Sequence, residues 1–151
     1  MNILNELQLL SEAKEKNLIG LTISGKKITE KTSSEPWPGY FNCFNNQLTS
    51  LEGAPSSVDG NFNCSNNQLT SLTGIHKILK QMNGTFYADD NPIKSNVIGL
   101  LLVKGCKEVE LDNKQVEEIM NRHLKSPFGN LRVLECQSEM LDADLGEWAK
   151  L

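Results

Sequence analysis

The stretch FNCFNNQLTSLEG at residues 41–53 is written again as FNCSNNQLTSLTG at residues 62–74, with Ser65 in place of Phe44 and Thr73 in place of Glu52. The offset is 21 residues, and Gly39 and Gly60 keep the same register ahead of the two phrases. Self-similarity at a period of about 20 to 30 residues marks a stacked repeat, in which each unit buries its apolar side against its neighbours. The phrase therefore reads as a unit of construction.

The underlying pattern is apolar, any, apolar, two polar, Asn, any, apolar. Phe41, Cys43, Asn46, Leu48 and Leu51 fill it first, then Phe62, Cys64, Asn67, Leu69 and Leu72. A weaker copy, GTFYADDNPI, offers Phe86, Ala88, Asn91 and Ile93. Three fainter fits lie outside these: LTISGKKI (Leu21, Ile23, Ile28), VELDNKQVEEI (Val109, Leu111, Val116, Ile119) and LECQSEML (Leu134, Cys136, Leu141). The central slots Ile23, Cys43, Cys64, Ala88, Leu111 and Cys136 then stand 20, 21, 24, 23 and 25 residues apart. Lys26, Lys114 and Glu139 replace the Asn in the outer three fits.

The pattern resembles the leucine-rich repeat, LxLxxNxL, with Phe and Cys in the first two apolar slots. More narrowly, NNQLTSLxGxP, VIGLLLVKGCKEVELDN and ECQSEMLDADLGEWAKL are similar to segments of small leucine-rich-repeat-like proteins of tailed bacteriophages, over most of residues 39–151. The resemblance implies a fold and a viral origin, and no common biochemical activity.

The fold expected is an α/β repeat: a short curved leucine-rich-repeat-like solenoid with a parallel sheet on its concave face, irregular to helical convex returns and helical caps. One domain spans residues 1–151, with an N-terminal helical cap at 1–17, about six coils at 18–137 and a C-terminal cap at 138–151. Alternation along each strand points Phe41 and Cys43 inward and Asn42 and Phe44 outward. A free thiol behaves as a small apolar group and suits the inner column. An inward Asn column can satisfy the backbone groups left unpaired where each strand turns away. The returns IHKILKQM (75–82), SNVIGLLLVKG (95–105) and NKQVEEIMNRHLK (113–125) look progressively more helical. Ends of a stack need caps. Ile3, Leu4, Leu7, Leu10 and Ala13 form an apolar stripe for one, and Met140, Leu141, Leu145, Trp148 and Leu151 supply the other. Pro36, Trp37 and Pro38 read as an insertion between the first two coils.

Chemistry is sparse. Cys43, Cys64, Cys106 and Cys136 form no CxxC pair and the histidines stand alone at His76 and His123, so neither metal nor cofactor is expected. Cys106 with His123 is the remaining thiol and base combination, without a visible positioning partner. Asp89 with Asp90 and Glu117 with Glu118 read as solvated carboxylates. No phosphate-binding glycine loop is present. The chain is expected not to be an enzyme.

A formal charge of −4 argues against nucleic acid as partner. The longest apolar run, VIGLLLV at 97–103, is too short to span a bilayer. The acidic amino terminus lacks the features of a secretory signal, so the expected location is cytoplasmic, in the host if phage-encoded.

Repeat folds bind through the face made of outward strand positions. In order these are Thr22 and Ser24, Asn42 and Phe44, Asn63 and Ser65, Tyr87 and Asp89, Glu110 and Asp112, and Glu135 and Gln137. The protein-binding residues expected are those from Asn42 to Gln137. Phe44 and Tyr87 are anchors, and the acids draw a protein with a basic surface across a face of about 24 Å. The function expected is a non-enzymatic protein-binding module, a phage accessory protein that inhibits or redirects a host factor such as a defence component. A structural or assembly component of a phage is the second reading, and a small enzyme the third. Edge strands leave open whether the chain pairs with itself.

Overall fold

The structure is a computed structural model and describes residues 15–151. The N-terminal helical cap with its stripe from Ile3 to Ala13 lies outside the described residues. Eight short strands order the remainder: β1 Thr22–Ile23, β2 Lys26–Lys27, β3 Pro36–Trp37, β4 Phe41–Asn42, β5 Ser57–Val58, β6 Phe62–Asn63, β7 Gln81–Tyr87 and β8 Lys104–Glu110. Three α-helices accompany them, α1 Ile75–Ile78, α2 Lys114–Leu124 and α3 Asn130–Asp142. The result is a mixed α/β fold around a mostly parallel sheet.

The two copies of the opening phrase lie side by side in register, Phe41 opposite Phe62 and Asn42 opposite Asn63. Phe86 and Tyr87 continue the row, then Val109 and Glu110. Inward Phe41, Phe62 and Phe86 stack with ring centroids 5.2 and 5.0 Å apart, close to the strand spacing, and Trp37 meets Phe41 edge-on at 5.0 Å. Cys43, Cys64, Ala88 and Leu111 fill the next inward column and are all buried. Burial pushes the Cys43 thiol up to about 12 and Cys64 well above its ordinary value. Both thiols donate to the neighbouring strand, Cys43 to the Asn63 carbonyl at 3.3 Å and Cys64 to the Tyr87 carbonyl at 3.2 Å. Asn46, Asn67 and Asn91 close the rungs as an inward ladder: Asn67 Nδ2 donates to the Cys43, Cys64 and Ser65 carbonyls, and Asn91 Nδ2 to those of Cys64, Ala88 and Asp89.

A second row of parallel pairs precedes the first. Pro36–Trp37 pairs with Ser57–Val58, Ser57 with Gln81, and Gln81 with Lys104. Pro36 to Pro38 is therefore no insertion; Trp37, Val58 and Met82 recur at the same spacings as the phenylalanines and are buried beside them. The chain bends between the rows at Gly39 and Gly60, whereas β7 runs through with irregular pairing near Gly84. Within β7 and β8, a Cβ at Gly84 would overlap Asn61 Oδ1 and one at Gly105 the Met82 carbonyl oxygen, and both take positive φ, so these two positions admit only glycine.

The outer fits differ from the expectation. LTISGKKI is an antiparallel hairpin, Thr22 opposite Lys27 and Ile23 opposite Lys26, because Ser24 and Gly25 both take positive φ and make a two-residue turn. Ile23 and Ile28 are still buried. LECQSEML is helical: Val133, Cys136 and Met140 recur at helical spacing and face the core, so alternation around Cys136 marks no strand. The return at 75–82 is helical only over Ile75–Ile78, and that at 95–105 is a 3-10 turn at Ile98–Leu102. At 113–125 a full helix forms, with Asn113 Oδ1 accepting from the Val116 amide. Buried Arg132 ties the end together, donating to the carbonyls of Leu101, Leu124 and Ser126. Of the expected C-terminal cap, Met140 is buried and Leu145 and Trp148 pack on the core, but Leu141 and Leu151 are exposed. The tail is held through its backbone instead, the Asn96 and Val97 amides donating to the Glu147 and Trp148 carbonyls.

Candidate functional site: the outward sheet face

Inward Phe41, Phe62, Phe86 and Val109 force their neighbours outward, so Asn42, Asn63, Tyr87 and Glu110 form one row across four strands. The next outward row is Phe44, Ser65, Asp89 and Asp112. Its order is fixed by the Cys43, Cys64 and Ala88 amides, which donate to the Asn63, Tyr87 and Glu110 carbonyls at 2.9, 2.8 and 2.9 Å. Four rungs at about 4.8 Å span roughly 14 Å. This is shorter than the 24 Å expected from six coils, because the outer two fits are a hairpin and a helix.

Polar contacts stiffen the face. Asn42 Oδ1 accepts from the Phe44 amide at 3.1 Å and Asn63 Oδ1 from the Ser65 amide at 2.9 Å. Ser65 Oγ donates to Asp89 Oδ1 at 2.6 Å, and the Asp90 amide to Asp112 Oδ1 at 3.0 Å. Ser65 is itself buried. It positions Asp89 and offers no surface of its own.

Glu135 and Gln137 do not join this face. Both lie on α3, where Glu135 is exposed and Gln137 Nε2 donates to the Ala149 carbonyl at 2.9 Å. The alternation that selected them belongs to strands, and helical residues two apart do not share a strand face.

Two residues missing from the sequence reading belong here. Tyr40 is exposed two positions before Asn42, and Glu108 is exposed two before Glu110 and pairs with Thr85. Extending the alternation one step backward, to the residues just after Gly39 and shortly after Gly105, would have found them. The first rung thus presents Tyr40, Asn42 and Phe44, and the last presents Glu108, Glu110 and Asp112. One edge of the face is aromatic and the opposite edge is acidic. Lys114 stands beside the acidic edge; its hydrogen bond to Glu117, then the charges of Glu117, Glu110 and Asp112, raises its pKa.

The other sequence candidates lie apart. Cys106 and Cys136 are buried, and burial pushes each thiol up to about 12, far from a nucleophilic thiolate at neutral pH. His123 Nε2 sits 2.9 Å from Glu139 Oε1, which also accepts from Arg122 at 2.7 Å. That group clamps α2 to α3. Among the described residues, no group of three or more His, Cys, Asp or Glu side chains is placed to hold a metal ion, and no helix is long and apolar enough to cross a membrane. No protein-family model, curated protein or solved structure matches the chain.

Proposed function

We propose that the chain is a non-enzymatic protein-binding module and that its binding surface is the outward sheet face. The observation that carries this reading is the graded face itself: exposed Tyr40 and Phe44 on the first rung, and exposed Glu108, Glu110 and Asp112 on the last. Aromatic side chains supply contact area at small entropic cost, and a set of like charges beside them selects orientation and speeds encounter. A protein with basic groups about 14 Å from an apolar contact complements it.

In this reading the stacked rungs are the coils of a short leucine-rich-repeat-like solenoid. Support comes from the common register of Phe41, Phe62, Phe86 and Val109 and from the Asn46, Asn67 and Asn91 ladder. The likeness to phage proteins supplies the proposed setting, an accessory protein that inhibits or redirects a host factor in the cytoplasm.

Affinity purification of the tagged chain from infected cells, followed by mass spectrometry, names the partner. Glu110→Lys with Asp112→Lys should then weaken binding about tenfold or more and slow association, and Glu108→Lys with Glu110→Lys, which spares the Asp112 bond to the Asp90 amide, should do the same with the unfolding midpoint little changed. Unchanged affinity removes the acidic edge from the interface. Copurification with virus particles would favour an assembly role.

A further inference from the structure

Helix α3 is apolar on two opposite sides. Val133, Cys136 and Met140 are buried against the core, while Leu131, Leu134 and Leu141 are 68%, 62% and 62% exposed. At 100° per residue the three leucines, with Ser138 among them, fall within about 80° of arc on the side away from the core. Phe128, just before the helix, is also exposed, but its ring lies 5.1 Å from the guanidinium carbon of buried Arg132 and is not counted in the stripe. At the far end Leu141 borders a hollow of about 480 Å³ shared with Leu145 and Trp148. A helix apolar on both sides is the pattern of one covered on both sides, and contiguous exposed apolar surface marks a place of contact.

The charges beside the leucines choose among occupants. Glu135 and Asp142 lie along one margin of the stripe, both exposed, and the outward side of α3 contributes no Lys or Arg, since Arg132 is buried. A second copy laid on this side would bring the same acids together. An anionic lipid surface would meet the same repulsion. A cationic partner is favoured by Glu135 and Asp142 along the stripe, and around the hollow at its far end Lys94 is outnumbered by Asp144 and Glu147.

We propose that this face is a second docking surface, and that its occupant is an amphipathic α-helix of a partner protein carrying two basic residues one heptad apart beside its apolar stripe. Glu135 and Asp142 are seven residues apart, about 10.5 Å along the axis, which two Lys or Arg at the same spacing can meet. The leucines extend over about 15 Å, so three turns of partner helix cover them. The proposal stands independently of the sheet face and would survive its failure.

The test uses the full chain and two labelled synthetic helices of about four turns with the same leucine stripe, one flanked by two lysines seven residues apart and the other by glutamates. Fluorescence anisotropy should show the lysine-flanked helix binding at least about tenfold more tightly. Leu134→Ser, an exposed change that spares the core, should weaken it about tenfold, and Glu135→Lys with Asp142→Lys should reverse the preference between the helices. Glu110→Lys on the sheet should change nothing. Equal binding of both helices, binding of neither, or indifference to Leu134→Ser overturns the proposal. So does a concentration-dependent dimer dispersed by Leu134→Ser, which assigns the face to a second copy.

Discussion

The middle of the stack and its C-terminal end solve one problem with different residues. In the middle, the turn after each strand is closed by an inward Asn. Asn67 Oδ1 accepts from the Asn46 and Leu48 amides at 2.9 and 3.0 Å while its Nδ2 serves three carbonyls. At the last rung Lys114 occupies the Asn slot and has no acceptor to offer. Helix α2 takes over: Glu117 Oε2 accepts from the Leu111 amide at 2.8 Å, and Asn121 both accepts from the Val109 amide at 2.8 Å and donates to the Val109 carbonyl at 3.1 Å. Asn121 thus behaves as one residue of a missing strand. Interior rungs are satisfied by residues that can repeat because every neighbour is alike, and the terminal rung by residues used once, which is where the repetition fades.

The largest expected effect follows from removing the interior solution. Asn67→Leu strands the Asn46 and Leu48 amides and takes one donor each from the Cys43, Cys64 and Ser65 carbonyls, which keep Asn46 Nδ2, Asn91 Nδ2 and the Asn45 amide, and should cost on the order of 2 to 4 kcal/mol in urea unfolding. Asn46, half-buried, donates only to the Cys43 and Phe44 carbonyls, so Asn46→Leu should cost less than about half as much. Asn67→Asp keeps the acceptor and loses the donors, and should fall between. Equal losses for Asn46 and Asn67 would mean that the ladder does not act through its shared bonds. At the end of the stack, Asn121→Ala should cost about 1 to 2 kcal/mol, since solvent can reach part of what it exposes. Hydrogen exchange should quicken at the Val109 amide while the Phe86 amide, one rung inside, keeps its rate. Matching acceleration at both would show the edge and the interior opening together.

The same division decides what was legible in the sequence. Phe41, Cys43, Asn46 and Leu48 answer to contacts with copies of themselves, so their spacing alone predicts their neighbours and the Asn42, Asn63, Tyr87 and Glu110 row. Trp37, Val58 and Met82 also recur in register, yet they stand amid Pro, Ser and Asn without a shared phrase, so Trp37 reads as an insertion, Val58 as part of an irregular return and Met82 as the end of a helical one. The ends answer to unlike neighbours. LTISGKKI contains the apolar spacing of a coil, but the turn at Ser24 and Gly25 acts over two residues and wins locally. In LECQSEML the alternation of Leu134, Cys136 and Ser138 competes with the helical set Val133, Cys136 and Met140, and packing against α2 and the Ile98–Leu102 turn selects the helix. The acidic edge was legible in Glu110 and Asp112 because they sit in a copied slot. Glu108 and Tyr40 lay just upstream of the copied letters, where the two phrases no longer match residue for residue.

The smallest effect sharpens the contrast through pH. Arg122 donates to both carboxylate oxygens of Glu139 and His123 lies against one of them, joining α2 to α3. The Arg122 hydrogen bond first, and that of His123 second, hold the Glu139 carboxyl down at about 2, below its ordinary 4.5. A carboxylate whose native value is depressed contributes stability that is full above the unfolded value and vanishes as pH falls through the native one. Water reaches both partners, so the contribution should stay under about 1 kcal/mol. The stability gap between the native chain and Glu139→Gln should therefore be present at pH 5, shrink between about 4.5 and 2, and weaken with added salt. The gap for Asn67→Leu contains no titrating group and should hold its size across that window. A Glu139→Gln gap that persisted at pH 2 would place the clamp in packing, and an Asn67→Leu gap that moved with pH would couple the ladder to the acids of the neighbouring face.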